Sequence, residues 1–336
     1  MPHLVFGAGS IGSTIESFTY TWDTPEKVAA LLAELHGLGI CTLDSAAAYP
    51  PGNAWNTETL LGESGSLGSG DEFVVDTKVL VQHGQAWLTS ADVSAGLDKS
   101  LALLRVPRVR TLYAHANDGV TPLVEQAAAF EREVRACRCL QWGISNYAVA
   151  DVAALFAACE QHGFSKPAVY QGMYNALRRE FEDELFPLLR QHNCAFYAYS
   201  PLAGGFLTGK VTRARDDAEA NGGEEKGLAR TRWQGASAFP AYVKIYDTPA
   251  MHAAVRRLQA VCEAASPPLT TQEASTRWLL HHSALGENDG VIFGAKTVEQ
   301  IKANAAEMRR GPLPEAVRVV VDGLYAAAKK QKRGNL

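Results

Sequence analysis

The chain has 336 residues, a mass of 36.2 kDa and a formal net charge of −4, with 47% hydrophobic and 20% charged residues. That balance excludes a disordered chain, which would be poorer in apolar residues and more highly charged, and six cysteines in this length argue against a disulfide-stapled mini-protein. A pI near 6.2 gives no electrostatic reason to expect nucleic-acid binding, and no run approaches the roughly 18 apolar residues of a membrane span.

The N-terminal dozen residues carry no basic region followed by an apolar stretch, so no signal peptide is expected. The cysteines form no Cys-x-x-Cys pair and read as reduced core residues, which points to a cytoplasmic setting. The basic cluster Lys329, Lys330, Lys332 and Arg333 reads as a solvated helix end.

In chain order, short apolar strands are predicted at 4–6, 40–43, 73–77, 109–113, 140–144, 168–170, 194–198 and 290–293. Each is nearly continuous in its hydrophobicity, as parallel strands buried on both faces are. The first helix opens at Thr24-Pro25-Glu26. Thr24 suits the cap, Pro25 the first helical position, and Val28, Leu31, Leu32 and Leu35 form one apolar stripe that Gly37 and Gly39 end. Further helices are predicted over about 91–104, 122–136, 149–162, 180–191, 250–265, 271–281 and 298–309.

Strand alternating with helix eight times is the pattern of a (β/α)8 TIM barrel, with a doubly wound sheet as competitor. The residues just past each strand are Gly7, Asp44, Lys78, His115, Ser145, Gln171, Tyr199 and Gly294. Their successive separations run from 26 to 37, close to one βαβ repeat, until a last step of 95. The reading is one barrel domain over 1–336, with a lid or insertion loop at 209–247 and C-terminal helices over 298–331.

Gly7-Ala8-Gly9-Ser10-Ile11-Gly12 matches the G-x-G-x-x-G of a dinucleotide turn. Its context does not: β-branched and aromatic residues follow in place of a helix, and no acidic residue closes a second strand at the right distance. Backbone lying close to a cofactor on the mouth of a barrel fits better.

Asp44, Lys78 and His115 stand at successive strand ends, with Tyr49 five residues beyond Asp44. In a barrel these ends open on one face, where active sites are built. A phenol with a reference pKa of about 10 is a weak acid near neutrality, and a neighbouring Lys lowers that value. Asp44 would hold Lys78 charged, Tyr49 would be a general acid for a carbonyl oxygen, and His115 would orient that carbonyl.

Over essentially the whole chain the sequence resembles the aldo-keto reductase superfamily. The stretches that carry the resemblance are Leu43-Asp44-Ser45-Ala46-Ala47-Ala48-Tyr49, Thr77-Lys78-Val79, Tyr113-Ala114-His115, Gly143-Ile144-Ser145-Asn146-Tyr147 and Gly294-Ala295-Lys296-Thr297-Val298-Glu299-Gln300. Tyr170-Gln171-Gly172-Met173-Tyr174-Asn175 and Tyr197-Ala198-Tyr199-Ser200-Pro201-Leu202-Ala203-Gly204-Gly205 look most like its aflatoxin-aldehyde-reductase branch.

The resemblance implies a nicotinamide-dependent carbonyl reductase on a barrel, without a metal. Asp44, Tyr49, Lys78 and His115 fall on the catalytic tetrad, with Tyr49 as proton donor. Ser145, Asn146 and Gln171 fall on the residues that hold the carboxamide, and Tyr199 on the aromatic that stacks on the nicotinamide. Gly7, Ser200, Leu202 and Gly204 fall on cofactor-binding turns, and Gly294, Lys296, Gln300 and Asn304 on the segment for the adenosine 2′-phosphate and adenine. Lys296 stands where a Ser is common in the family, which favours NADPH. Ala8 replaces a usual Thr, and Ala116-Asn117 lacks the Pro common after His115.

A small carbonyl compound is the expected partner, with Trp55, Tyr20, Trp22 and Trp233 as candidate substrate contacts and Arg230 and Arg232 as candidate pyrophosphate clamps. The branch implies a homodimer. Two alternatives remain at this point. One is a cofactor-binding regulatory subunit resembling the potassium-channel β subunits of the same superfamily. The other runs the same site in reverse, oxidising an alcohol in a biosynthetic pathway.

Overall fold

The computed structural model describes residues 1–12, 21–68, 72–223, 226–228, 231–233 and 240–333. Eight strands form where apolar runs predict them: β1 (His3–Gly7), β2 (Thr42–Asp44), β3 (Val74–Val79), β4 (Val109–Ala114), β5 (Cys139–Ser145), β6 (Val169–Met173), β7 (Ala195–Tyr199) and β8 (Gly290–Phe293). Each pairs in parallel with its neighbours, and β8 closes on β1, with Val5 opposite Ile292. The doubly wound alternative is thereby excluded, since an open sheet has two unpaired edges.

The helices between them are α1 (Pro25–Gly37), α2 (Asn56–Glu63), α3 (Ser90–Leu104), α4 (Leu123–Arg135), α5 (Val149–His162), α6 (Leu185–Gln191), α7 (Lys210–Asn221), α8 (Pro240–Tyr246), α9 (Pro249–Ala264) and α10 (Thr271–His281). The last two, α11 (Val298–Met308) and α12 (Glu315–Arg333), follow β8. The α1 start is as predicted: Thr24 Oγ1 accepts from the Lys27 N–H at 3.4 Å, and Val28, Leu31, Leu32 and Leu35 are buried. α6 is shorter than predicted. Pro187 has no N–H to continue a helix begun at 180 and is tolerated only in a first turn.

Among the described residues of the 209–247 segment lie the helices α7 and α8. α7 is polar, and its Asp216 meets Arg256 of α9 as an ion pair.

Strand alternation divides the core in two. Residues such as Leu43, Val75 and Leu112 face the helices and join the main apolar cluster. Val5, Tyr113, Val169, Tyr197 and Ile292 form a separate inner cluster. Inner positions also hold charge. Arg110 Nε and Nη2 grip Asp76 at 2.9 and 2.5 Å, with the guanidinium 5.7 Å from the centre of the Tyr197 ring. Two residues further along β3, on the same face, comes Lys78.

The G-x-G-x-x-G run ends β1 and passes into a short 3-10 turn over Ala8–Ser10. Its last glycine is required by packing: a Cβ on Gly12 would fall 2.5 Å from Pro50 Cγ.

α2 lies tightly against α3, and a Cβ on Gly62 would meet the Leu103 carbonyl oxygen at 1.9 Å. Gly62→Ala is expected to cost about 1–3 kcal/mol through overpacking. Thermal denaturation followed by circular dichroism checks this, and an unchanged Tm would show that the two helices have room to separate.

Candidate active site

β2, β3 and β4 end side by side, with Asp44 paired to Asp76 and Lys78 paired to Tyr113 across the ladder. Asp44 closes β2, Lys78 is the last residue but one of β3, and His115 directly follows β4. Tyr49 sits in the loop between β2 and α2. Its N–H donates to Ala46 O at 3.0 Å, and its carbonyl accepts from the Thr57 N–H at 3.3 Å.

The four side chains converge. Lys78 Nζ donates to Asp44 Oδ1 and Oδ2, both at 2.8 Å, and to Ser45 O at 2.8 Å. Both ionic groups are buried, Lys78 at 0% and Asp44 at 2% exposure. Gln171 Nε2, from β6, donates to Asp44 Oδ1 at 2.8 Å and so fixes the carboxylate from the far side of the barrel. The Lys78 ammonium lies 4.9 Å from the centre of the Tyr49 ring. The half-buried His115 ring meets that ring edge-on at 5.8 Å between centroids.

Burial penalises charge at every member of this set. It acts to lower the Lys78 pKa, but Asp44 and Tyr49 outweigh it and hold the ammonium above its usual value. Burial likewise raises Asp44, with Lys78 opposing. For Tyr49 the Lys78 charge acts in the direction read from sequence, but burial is larger, and the phenol lies above its ordinary pKa. Tyr49 is therefore protonated at neutral pH and can donate. Burial, and then Lys78, push His115 down to about 3, so its imidazole is neutral at neutral pH.

The residues predicted for the nicotinamide gather beside this centre. Tyr199 Oη donates to Asn146 Oδ1 at 2.8 Å. Asn146 Nδ2 donates to Ser145 Oγ and to His115 O, both at 3.0 Å. Asn146 and Ser200 hold left-handed backbones, with φ of 61° and 56°, and strain of this kind concentrates at functional sites. Ser200, Leu202 and Gly204 form the turn after β7.

Gly294, Lys296, Gln300 and Asn304 follow β8. Gln300 Oε1 accepts from the Lys296 N–H at 2.8 Å, and Asn304 Oδ1 accepts from Gln272 Nε2 at 2.7 Å. Gly7 ends β1 beside them, and a Cβ on Gly294 would lie 3.9 Å from Gly7 O. Thr297 caps α11 through Gln300 N. Lys296 thus stands at a helix N-terminus, where an anion is favoured. Burial, then the Arg232 charge, hold its pKa below the usual value. Two neighbouring cations at that place suit the phosphates of a dinucleotide.

The aromatic candidates separate. Trp55 is half-buried, with Lys99 Nζ 4.2 Å from the centre of its ring, and it lines a cavity of about 210 Å³ with Val79, Leu80 and Trp87. Trp22 is only 4% exposed and packs edge-on to Phe6 at 6.0 Å. Trp233 donates through Nε1 to Gly204 O at 3.0 Å, which ties the insertion to the β7 turn. Tyr20 and Arg230 lie outside the described residues.

Two further residues enter the site unannounced by sequence. Tyr242 of α8 shares a 2.6 Å hydrogen bond between its hydroxyl and Ser200 Oγ. Glu58 of α2 is fully buried behind β3. Neither stands at a strand end, the signal that marked Asp44, Lys78 and His115. Among the described residues no group of three or more His, Cys, Asp or Glu side chains is placed to hold a metal.

The depressed His115 pKa has a consequence for stability. The unfolded chain takes up a proton below its pKa of 6.5, but the folded chain does so only near 3. Stability is therefore lost as pH falls from 6.5 toward 3. Replacing His115 by Asn is expected to flatten Tm against pH over that window, as read by circular dichroism. An unchanged slope would mean that His115 is protonated in the folded protein.

Comparison with known proteins agrees with this geometry. The human protein named "Aflatoxin B1 aldehyde reductase member 2" is 38% identical over 304 residues, covering 88% of this chain and 80% of its own. Human "Aldo-keto reductase family 7 member A3" is 35% identical over 320 residues, covering 94% and 91%. "Aldo-keto reductase pigE" of Monascus ruber is 30% identical over 344 residues, covering 97% and 94%. The sequence model of the Aldo/keto reductase family matches residues 3–325, and the chain belongs to that family of NAD(P)H-dependent oxidoreductases.

Proposed function

We propose that this protein reduces an aldehyde or ketone to an alcohol with NADPH, and that Tyr49 gives the proton. The observation that carries the reading is the buried Asp44–Lys78 ion pair set against a protonated Tyr49 and a neutral His115. When bound, the nicotinamide supplies hydride to the carbonyl carbon.

The chain's own residues do the rest. The neutral His115 imidazole orients the carbonyl oxygen toward Tyr49. The Tyr49 hydroxyl gives up its proton as charge builds on that oxygen. Lys78, fixed by Asp44 and Ser45 O, stabilises the phenolate left behind. Ser145, Asn146 and Gln171 hold the carboxamide, and Tyr199 is the ring against which the nicotinamide lies.

Within 209–247, Tyr242 and Trp233 act as a cover over the turn after β7, through hydrogen bonds to Ser200 and Gly204. All six cysteines are free thiols, in keeping with a reducing compartment such as the cytoplasm. No helix among the described residues is long and apolar enough to cross a membrane.

Tyr49→Phe removes only the acidic proton and is expected to lower kcat at least about a hundredfold while leaving NADPH affinity intact. Steady-state consumption of NADPH with simple aldehydes measures it. NADPH binding without turnover of any carbonyl by the wild-type chain would favour the regulatory-subunit reading instead.

Lys296→Ala is expected to weaken NADPH binding about tenfold or more, the worth of a charge-assisted hydrogen bond, and to leave NADH binding nearly unchanged. Comparable kcat/KM with the two cofactors in the wild-type chain would sink the NADPH assignment.

A further inference from the structure

Tyr49 and Lys78 come from different segments of chain. Tyr49 belongs to the loop that leads into α2, and Lys78 to β3. Their meeting inside the barrel, ring against ammonium, depends on how that loop is held to that strand.

One side chain bridges the two from outside. Glu58, in the first turn of α2 and 0% exposed, accepts from Thr77 Oγ1 at 2.5 Å through Oε1 and from Ser100 Oγ at 3.1 Å through Oε2. Thr77 is the residue before Lys78, so its side chain leaves the strand on the opposite face. On the other side of the bridge, Thr57 is the residue before Glu58. Its N–H donates to Tyr49 O at 3.3 Å, and its hydroxyl donates to Ile11 O at 2.6 Å. Each end of the Glu58 bridge is thus one peptide away from an anchor of the Tyr49–Lys78 pair.

A carboxyl in this place is costly. Burial pushes it up to about 7, against the hydrogen bonds from Thr77 and Ser100 and the more remote charges of Lys78 and Lys99. An apolar side chain of the same volume would fill the gap without that cost. What an apolar side chain lacks is two acceptors aimed at a strand and a helix at once.

We propose that Glu58 is a positioning residue that clamps the Tyr49-bearing loop to the Lys78-bearing strand, and so sets the separation between the proton donor and the ammonium that tunes it. The proposal rests on Tyr49 being the proton donor. The Lys78 charge lowers the Tyr49 pKa, and that influence falls as the two groups separate. A loosened clamp makes Tyr49 a weaker acid and misplaces it against the carbonyl.

The test compares Glu58→Ala, Thr77→Val and Glu58→Gln with the wild-type chain. Three quantities are read: the Tyr49 phenol titration, taken as the ultraviolet phenolate absorbance that disappears in a Tyr49→Phe background; the single-turnover rate of NADPH oxidation by an aldehyde; and the affinity for NADPH. Glu58→Ala and Thr77→Val are expected to move the Tyr49 titration to higher pH. They are expected to slow the single turnover about ten- to hundredfold, the scale of a small misplacement, with NADPH affinity unchanged. Glu58→Gln keeps an acceptor for Thr77 and is expected to restore both.

A purely structural role would lower Tm without moving the titration. A wild-type titration in Thr77→Val and in folded Glu58→Ala overturns the clamp, as does Glu58→Gln behaving no better than Glu58→Ala. Thr77→Val alone decides if Glu58→Ala does not fold. Turnover that survives Tyr49→Phe would overturn the proton-donor assignment, while the titration would still report on the clamp.

Discussion

An ammonium deep inside a barrel must be matched or it will not stay charged. The Asp44–Lys78 pair meets that requirement with both carboxylate oxygens, and Ser45 O takes the third ammonium hydrogen. Removing one partner of such a pair strands the other, at about 3–5 kcal/mol. The pair therefore dictates its surroundings. β2, β3 and β6 must end in register, because Asp44, Lys78 and Gln171 are hydrogen-bonded together. Below it, on the same face of β3, Asp76 and Arg110 repeat the solution. The barrel interior is built on these two ion pairs as much as on its few apolar side chains.

The same burial governs the protonation states. It keeps Tyr49 protonated and His115 neutral, side by side at one opening. From sequence only the sign of the Lys78 effect on Tyr49 could be read, because a neighbour's charge is visible in a motif and the depth of a pocket is not. The net direction for Tyr49 is accordingly the reverse of what Lys78 alone would produce.

The eight strands were legible because each is a short apolar run, and the meeting of Asp44, Lys78 and His115 because each stands at or next to a strand end, with Tyr49 five residues beyond the first. α2, α7 and α8 were not. α2 is eight residues long with its Glu58 turned inward, and α7 is so polar that it lacks an apolar stripe. Glu58 carried no signal in the sequence, since nothing local says that Thr77 and Ser100 will lie opposite it. Tyr242 was hidden for a related reason: its hydrogen bond to Ser200 spans 42 residues of chain. The G-x-G-x-x-G run shows the converse, a motif whose spacing is right but whose last glycine answers to Pro50 packing.

The close approach of Gly62 to Leu103 bears on where the loop around Tyr49 can give. It seats α2 so tightly that the segment after Trp55 has no freedom to drift, and Tyr49 is tied at its N–H and carbonyl. Between those fixed points Pro51, Gly52 and Ala54 are exposed. A substitution at these exposed positions lies at the rim beside Trp55, away from the buried ion pair. The exposed rim of this loop and the segments that hold Tyr49 are thus separate pieces of one short stretch of chain.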